Sequence, residues 1–195
     1  MQVLVVGHSY VCDLSEDGSD WFEVGEQKVE VQYFGKRGAS YDTFLNNPQL
    51  FDDLKQFKPD IVIVILAGNS IRNSITNKEI YYKATEFYKK LRVIYPLSKI
   101  VAAQVELRFY KVGNRWNCPV GNDYHKRRVA LNNFLKALKY KDHILMIAGP
   151  NRLDNRSLFR RDGVHLTDEG LLKYYSIIKR VVKYIIEIPN VEAAK

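Results

Sequence analysis

Apolar positions along this chain fall into two patterns. Residues 3–6 (Val-Leu-Val-Val) and 60–66 (Asp-Ile-Val-Ile-Val-Ile-Leu) are near-continuous β-branched runs that end at a glycine, with residues 100–105 and 143–147 as shorter versions. Runs of this kind predict strands buried on both faces of a parallel sheet. Residues 28–34 instead alternate apolar and polar, which predicts a strand at the sheet edge with one face covered. Between the strands the period changes. Residues 79–95 carry Ile80, Ala84, Phe87, Leu91 and Ile94 on one helical face and stop at Pro96, and residues 124–138 and 167–186 read as two further helices. Shorter helices are expected near Tyr41, capped by Ser40, and over residues 52–57, whereas residues 13–20 and 107–122 read as loops, the first as loop or frayed helix.

Strands that alternate with helices long enough to cross over give a three-layer α/β/α sandwich with a five-stranded, mainly parallel sheet. A single domain over residues 1–188 with a tail at 189–195 is expected, since 195 residues suffice for one substantial core and no composition shift marks a second. Successive parallel strands deliver their carboxyl ends to one side, so Ser9, Gly38, Asn69 and the segment before Thr167 should converge on one edge.

Composition narrows the context. The two cysteines, Cys12 and Cys118, lie far apart, so neither a disulfide framework nor a zinc knuckle is indicated and a reducing compartment is expected. The first apolar run is only a strand long and the others are broken by Lys and Arg, so the expectation is an intracellular, cytoplasmic or nuclear, protein without a signal peptide or membrane span. The net charge of +8 attracts anions. Arg37, Arg108, Lys111, Arg115, Arg160 and Arg161 fall on segments expected near the active edge, which predicts weak electrostatic binding of nucleic acid or anionic membrane, against the plainer reading that they keep the chain soluble. Trp116 and Phe109 either line an acyl pocket or pin the long loop. No His or Cys pair among His8, His125 and His143 has ligand spacing, so no metal is expected.

Two readings attach to Ser9, which comes after Gly7 at the end of the first strand: the cap of a helix, or a nucleophile. A base must be held in the right tautomer by a partner, and Asp162 and His165, three residues apart before the last helix, can be such a pair. Backbone N–H groups at Ser9 and Gly38 and the Asn69 amide can serve as oxyanion donors. No Gly-x-Ser-x-Gly elbow occurs.

With Gly7-His8-Ser9, Gly38 in Lys36-Arg37-Gly38-Ala39-Ser40, Gly68-Asn69 and Asp162-Gly163-Val164-His165 in order, the chain resembles the SGNH (GDSL-type) hydrolase family from Val3 to the last helix. The resemblance implies that family's flavodoxin-like sandwich, a serine esterase acting on short-chain, acetyl or lipid-type carboxyl esters, and no cofactor. It makes Ser9 the nucleophile, His165 the base, Asp162 its orienter, and Ser9, Gly38 and Asn69 the oxyanion hole. The sequence departs from the family pattern in two places: His8 replaces the usual Asp, and the asparagine block reads Ala67-Gly68-Asn69-Ser70 where Gly-x-Asn-Asp is common. The Gly-His-Ser-Tyr opening and the Asp-Gly-Val-His-Leu-Thr-Asp-Glu-Gly ending are similar to esterase domains of some animal retrotransposons and related mobile elements. The competing reading is a catalytically idle module of this fold whose basic surface binds nucleic acid or a protein partner.

Overall fold

A computed structural model of the chain describes residues 1–17, 20–112, 115–117, 123–142, 145–147 and 155–187. In chain order its elements are β1 (Gln2–Gly7), α1 (Ser9–Asp17), β2 (Trp21–Val24), β3 (Gln27–Gly35), α2 (Tyr41–Leu45), α3 (Pro48–Leu54), β4 (Ile61–Ile65), α4 (Asn77–Ile94), β5 (Lys99–Ala103), β6 (Tyr110–Val112), β7 (Arg115–Asn117), α5 (Asp123–Asp142), β8 (Leu145–Ile147) and α6 (Asp168–Glu187). Strands β3, β1, β4, β5 and β8 are parallel neighbours in that order, and β2 pairs antiparallel outside β3.

Because successive side chains of a strand point to opposite faces, each central strand feeds two cores. Leu4 and Val6, Val62 and Val64, and Ile100 and Ala102 pack against α2, α3, α4 and α5. Val3 and Val5, Ile61, Ile63 and Ile65, and Val101 and Ala103 face α1 and α6. The expected three layers are therefore present, with four of the described helices on one face and two on the other. Among the described residues no helix is long and apolar enough to cross a membrane.

Some expectations need correction. The alternating strand is not the edge: β3 lies between β1 and β2, so among the described residues the five parallel strands are joined by a sixth, antiparallel one. Strand β2 is four residues long and carries an exposed Trp21 and Glu23, too short to register as a strand until Gly25, at φ +59°, turns it back onto β3. Of the two alternatives for the polar stretch, loop or frayed helix, the helix is found as far as Asp17, continuing directly from Ser9. The long segment after β5 also carries order, the antiparallel hairpin of β6 and β7. Helix α3 starts earlier than expected, with Pro48 in its first turn, where the missing N–H is harmless.

At the end of β1 the chain is confined. The His8 N–H donates to the Ile65 carbonyl at 3.1 Å, extending the β1–β4 ladder one residue beyond the strand. A Cβ on Gly7 would overlap that carbonyl oxygen and lie 2.7 Å from Val11 Cγ2. Only glycine lets α1 begin this close to β4. Gly7→Ala is therefore expected to destabilise the fold by about 1–3 kcal/mol, the usual range for overpacking. Thermal unfolding checks this; an unchanged midpoint would show that the backbone yields at no cost.

Candidate active site

The registers explain how four separate segments meet. Gly7 pairs with Gly35 on one side and with Ile65 on the other, and Val64 pairs with Ala102, so β3, β1, β4 and β5 end at one level. Each chain then turns across the same edge. Ser9 lies two residues beyond β1, Gly38 three beyond β3, and Asn69 four beyond β4, within a single 3-10 turn (Ala67–Ser70). These residues, with Ala103 at the end of β5 and residues 104–108 after it, line one cleft of about 410 Å³, and His165 and Val164 line it as well.

Asp162 and His165 sit on a tight loop whose ends pair through Phe159 and Leu166 and through the Arg160 N–H donating to the His165 carbonyl at 2.7 Å. Asp162 Oδ1 accepts the Val164 and His165 amides at 2.8 and 2.9 Å, while Oδ2 lies 2.6 Å from His165 Nδ1. Partial burial pushes the Asp162 carboxyl up, but the bonds from His165 and the two amides outweigh it and hold it at about 2. The carboxylate is thus ionised at any working pH. With Nδ1 turned to Asp162, His165 presents Nε2 to other partners.

Three contacts fasten this loop to the body. The Tyr10 hydroxyl donates to the Val164 carbonyl at 2.5 Å, and the Phe109 N–H donates to the Gly163 carbonyl at 2.8 Å. Gly163, at φ +71°, has the Phe109 carbonyl where a Cβ would be, so this turn requires glycine. Third, Asp13 Oδ2 lies 3.8 Å from Arg160 Nη2. Asp13 is buried on α1 and its Oδ1 also accepts from Arg37 at 2.7 Å, so one carboxylate ties the helix bearing Ser9 to the loops bearing Gly38 and His165.

Asn69 is held from two sides. Its Oδ1 accepts from Arg108 at 2.7 Å, and its Nδ2 donates to the Ala39 carbonyl at 3.1 Å, which leaves the second amide hydrogen to other acceptors. The Arg108 guanidinium packs on the Tyr124 ring at 4.9 Å. Arg108 is therefore an internal positioning group as well as a cleft residue. Of the other cations expected to bind anions, Arg37 is engaged by Asp13 and Glu16, and Arg161 is exposed and does not line the cleft. Arg115 and Trp116 lie on β7, but their side chains fall outside the described residues, as do Cys118 and His143. Cys12 is a free thiol, and Phe109 is buried, stacked edge-on against Phe159 at 5.0 Å.

The departure at His8 has a structural role. Its ring is buried in the cleft wall, and Nδ1 accepts the Tyr10 N–H at 3.4 Å, which places the ring proton on Nε2. Burial, then the charges of Arg108 and His165, lower its pKa to about 3. His8 Nε2, Arg108 Nη2 and the Tyr124 hydroxyl all come within 3.5–3.8 Å of where a Cβ on Gly68 would stand. His8 is thus a neutral donor beside the Arg108 guanidinium.

This has a pH signature. An unfolded histidine titrates near pH 6.5 whereas folded His8 resists protonation until about pH 3, so the unfolded state binds the extra proton between these limits. The His8 contribution is complete above pH 6.5 and is lost as pH falls below it. His8→Gln should flatten the decline of stability between pH 6.5 and 4, read as the difference between wild-type and variant denaturation midpoints. Parallel curves would show that His8 protonates normally in the fold.

The sequence model of the GDSL-like Lipase/Acylhydrolase family matches residues 6–171. None of the curated proteins matches at a significant level. Among solved structures, the acetyl xylan esterase AlAXEase superposes with a TM-score of 0.68 at 17% identity, over 93% of this chain and 100% of its own. TesA superposes with a TM-score of 0.66 at 15% identity, over 94% and 99%. The psychrotrophic esterase EstA from Pseudoalteromonas sp., solved with monoethylphosphonate as inhibitor, superposes with a TM-score of 0.66 at 13% identity, over 96% and 99%. At these identities the structures bear on the fold alone, and it is the sequence match over residues 6–171 that assigns membership: the chain belongs to the GDSL-like lipase/acylhydrolase family of hydrolases.

Proposed function

We propose that the protein is a serine esterase that hydrolyses carboxyl esters through an acyl-enzyme. Ser9 Oγ attacks the ester carbonyl while His165 Nε2 takes its proton, and Asp162 stabilises the imidazolium so formed. The developing oxyanion is met by the Ser9 and Gly38 N–H groups and the free hydrogen of the Asn69 amide. Collapse of the tetrahedral intermediate expels the alcohol, which leaves with the proton from His165. Water, deprotonated by the same histidine, then attacks the acyl-enzyme, releases the acid and restores Ser9.

The observation that carries this reading is the 2.6 Å contact between His165 Nδ1 and an ionised Asp162, in the wall of the cleft that Ser9 also lines. Ser9 heads α1, where N–H groups of the first turn lack intrahelical acceptors and the helix dipole favours negative charge. The capping position falls on His8, whose carbonyl accepts the Val11 and Cys12 N–H groups at 3.0 and 3.3 Å, and Ser9 is the first residue of the helix.

Two results are expected. Ser9→Ala should abolish hydrolysis of nitrophenyl acetate with the thermal midpoint retained, because Ser9 lies on the edge rather than between the layers; hydrolysis at the wild-type rate would remove Ser9 as nucleophile. Asn69→Ala should lower kcat by roughly a hundred- to a thousandfold with little change in KM, the usual loss for one preorganised donor. A raised KM at unchanged kcat would instead make Asn69 a ground-state binding group.

A further inference from the structure

Glu106, which no step above uses, lies in the segment after β5 and lines the cleft with Gln104, Val105, Leu107 and Arg108. Its Oε1 is shut off from solvent and has no hydrogen-bond partner. Among the described residues, none of the charged and titratable groups around it hydrogen-bonds that oxygen. Arg128 on α5 donates from Nη1 to the Val105 carbonyl at 3.0 Å, and no cation among the described residues reaches ion-pair distance of the carboxyl. Tyr124 donates its hydroxyl to the Glu106 backbone carbonyl at 3.4 Å rather than to the side chain. Tyr10 on α1 is committed to Val164, and Tyr174 on α6 is near enough to feel the charge. Burial raises the carboxyl to about 8, with Arg128 opposing, so near neutral pH the group is mostly the uncharged acid.

A buried polar group without a partner is rare enough in folded proteins to call for a reason, and here the residue that carries it also lines a space able to receive a ligand. An uncharged carboxyl both donates and accepts, and a hydroxyl matches it on both counts. A hydrocarbon pressed against it would leave it stranded, and sites built to hydrogen-bond a hydroxyl discriminate strongly against analogues without one. Resting on the esterase reading, we infer that Glu106 is a specificity-determining residue that selects esters bearing a free hydroxyl group, on the alcohol or on the acyl side, over purely hydrocarbon esters.

The test uses the full chain and two matched pairs of esters, propyl acetate against glycerol monoacetate and ethyl butyrate against ethyl 3-hydroxybutyrate. Wild-type protein should favour the hydroxylated member of at least one pair by roughly tenfold or more in kcat/KM, mainly through KM. Glu106→Leu should bring that ratio to about one, and Glu106→Gln, which keeps a donor and an acceptor, should retain most of it; circular dichroism and thermal melts establish that each variant folds. Equal constants within both wild-type pairs would mean that no substrate hydroxyl reaches the carboxyl and would overturn the inference without reference to any variant. A preference that survives in folded Glu106→Leu would overturn it too. Labelling of the wild-type protein by a fluorophosphonate separates the two levels: labelled protein that shows no preference, or hydrolyses neither pair, loses this inference alone, whereas protein that neither labels nor hydrolyses any ester loses the esterase reading and this one with it.

Discussion

The in-register ending of four parallel strands is the constraint on which the site depends. Strand β1 is hydrogen-bonded on both sides, and Gly7 stands level with Gly35 and Ile65. The ladder then carries on for one more step each way, through His8 to the Ile65 carbonyl and through Lys36 to the Gly7 carbonyl. Short turns after these strands therefore have no freedom to diverge. Ser9, Gly38 and Asn69 reach the same edge because their distances from their strand ends are two, three and four residues, and a shift of register by one would turn every core side chain of that strand to the wrong layer. Packing of the two cores is thus what fixes the geometry of the polar groups.

The loop carrying Asp162 and His165 is not set by a strand end, and its position is secured by a different means. It closes on itself through the Phe159–Leu166 bridge and is then fastened by Tyr10, Phe109 and the pairing of Arg160 with Asp13. Two of these three anchors, Tyr10 and Asp13, are on α1, the helix that begins at Ser9. A displacement of α1 would move the serine and the histidine loop together. Asp13 also holds Arg37 beside Gly38, so a single buried carboxylate couples three of the converging segments.

Much of this could be read from the residues. The β-branched runs specified the buried strands, and the polar blocks at Ser9, Gly38 and Asn69 specified the turns at their carboxyl ends, because parallel strands deliver those ends to one edge. The antiparallel strand β2 escaped because four residues with Trp21 and Glu23 exposed carry no alternation worth the name. The internal duties of Arg37 and Arg108 escaped for a different reason: a cation on a loop reads as a surface charge, and only the fold brings Asp13 within reach of one and Asn69 within reach of the other. One signal was present. Ser9 and Asp13 are spaced i, i+4, which on a helix places both on one face, and the polar stretch around Asp13 concealed the helix. The unpartnered state of Glu106 had no sequence signal, since it depends on where Arg128 and Tyr124 direct their donors.

The central claim is that donors from three separate strand ends are aimed at one point beside Ser9. The most direct measurement is a crystal structure of the protein after reaction with a phosphonate ester. The account predicts phosphorus bonded to Ser9 Oγ, with one phosphoryl oxygen within hydrogen-bond distance of the Ser9 and Gly38 N–H groups and Asn69 Nδ2, and with His165 Nε2 facing the leaving-group side. An adduct on Ser9 whose phosphoryl oxygen points away from Gly38 and Asn69, or an adduct on another residue, would contradict it.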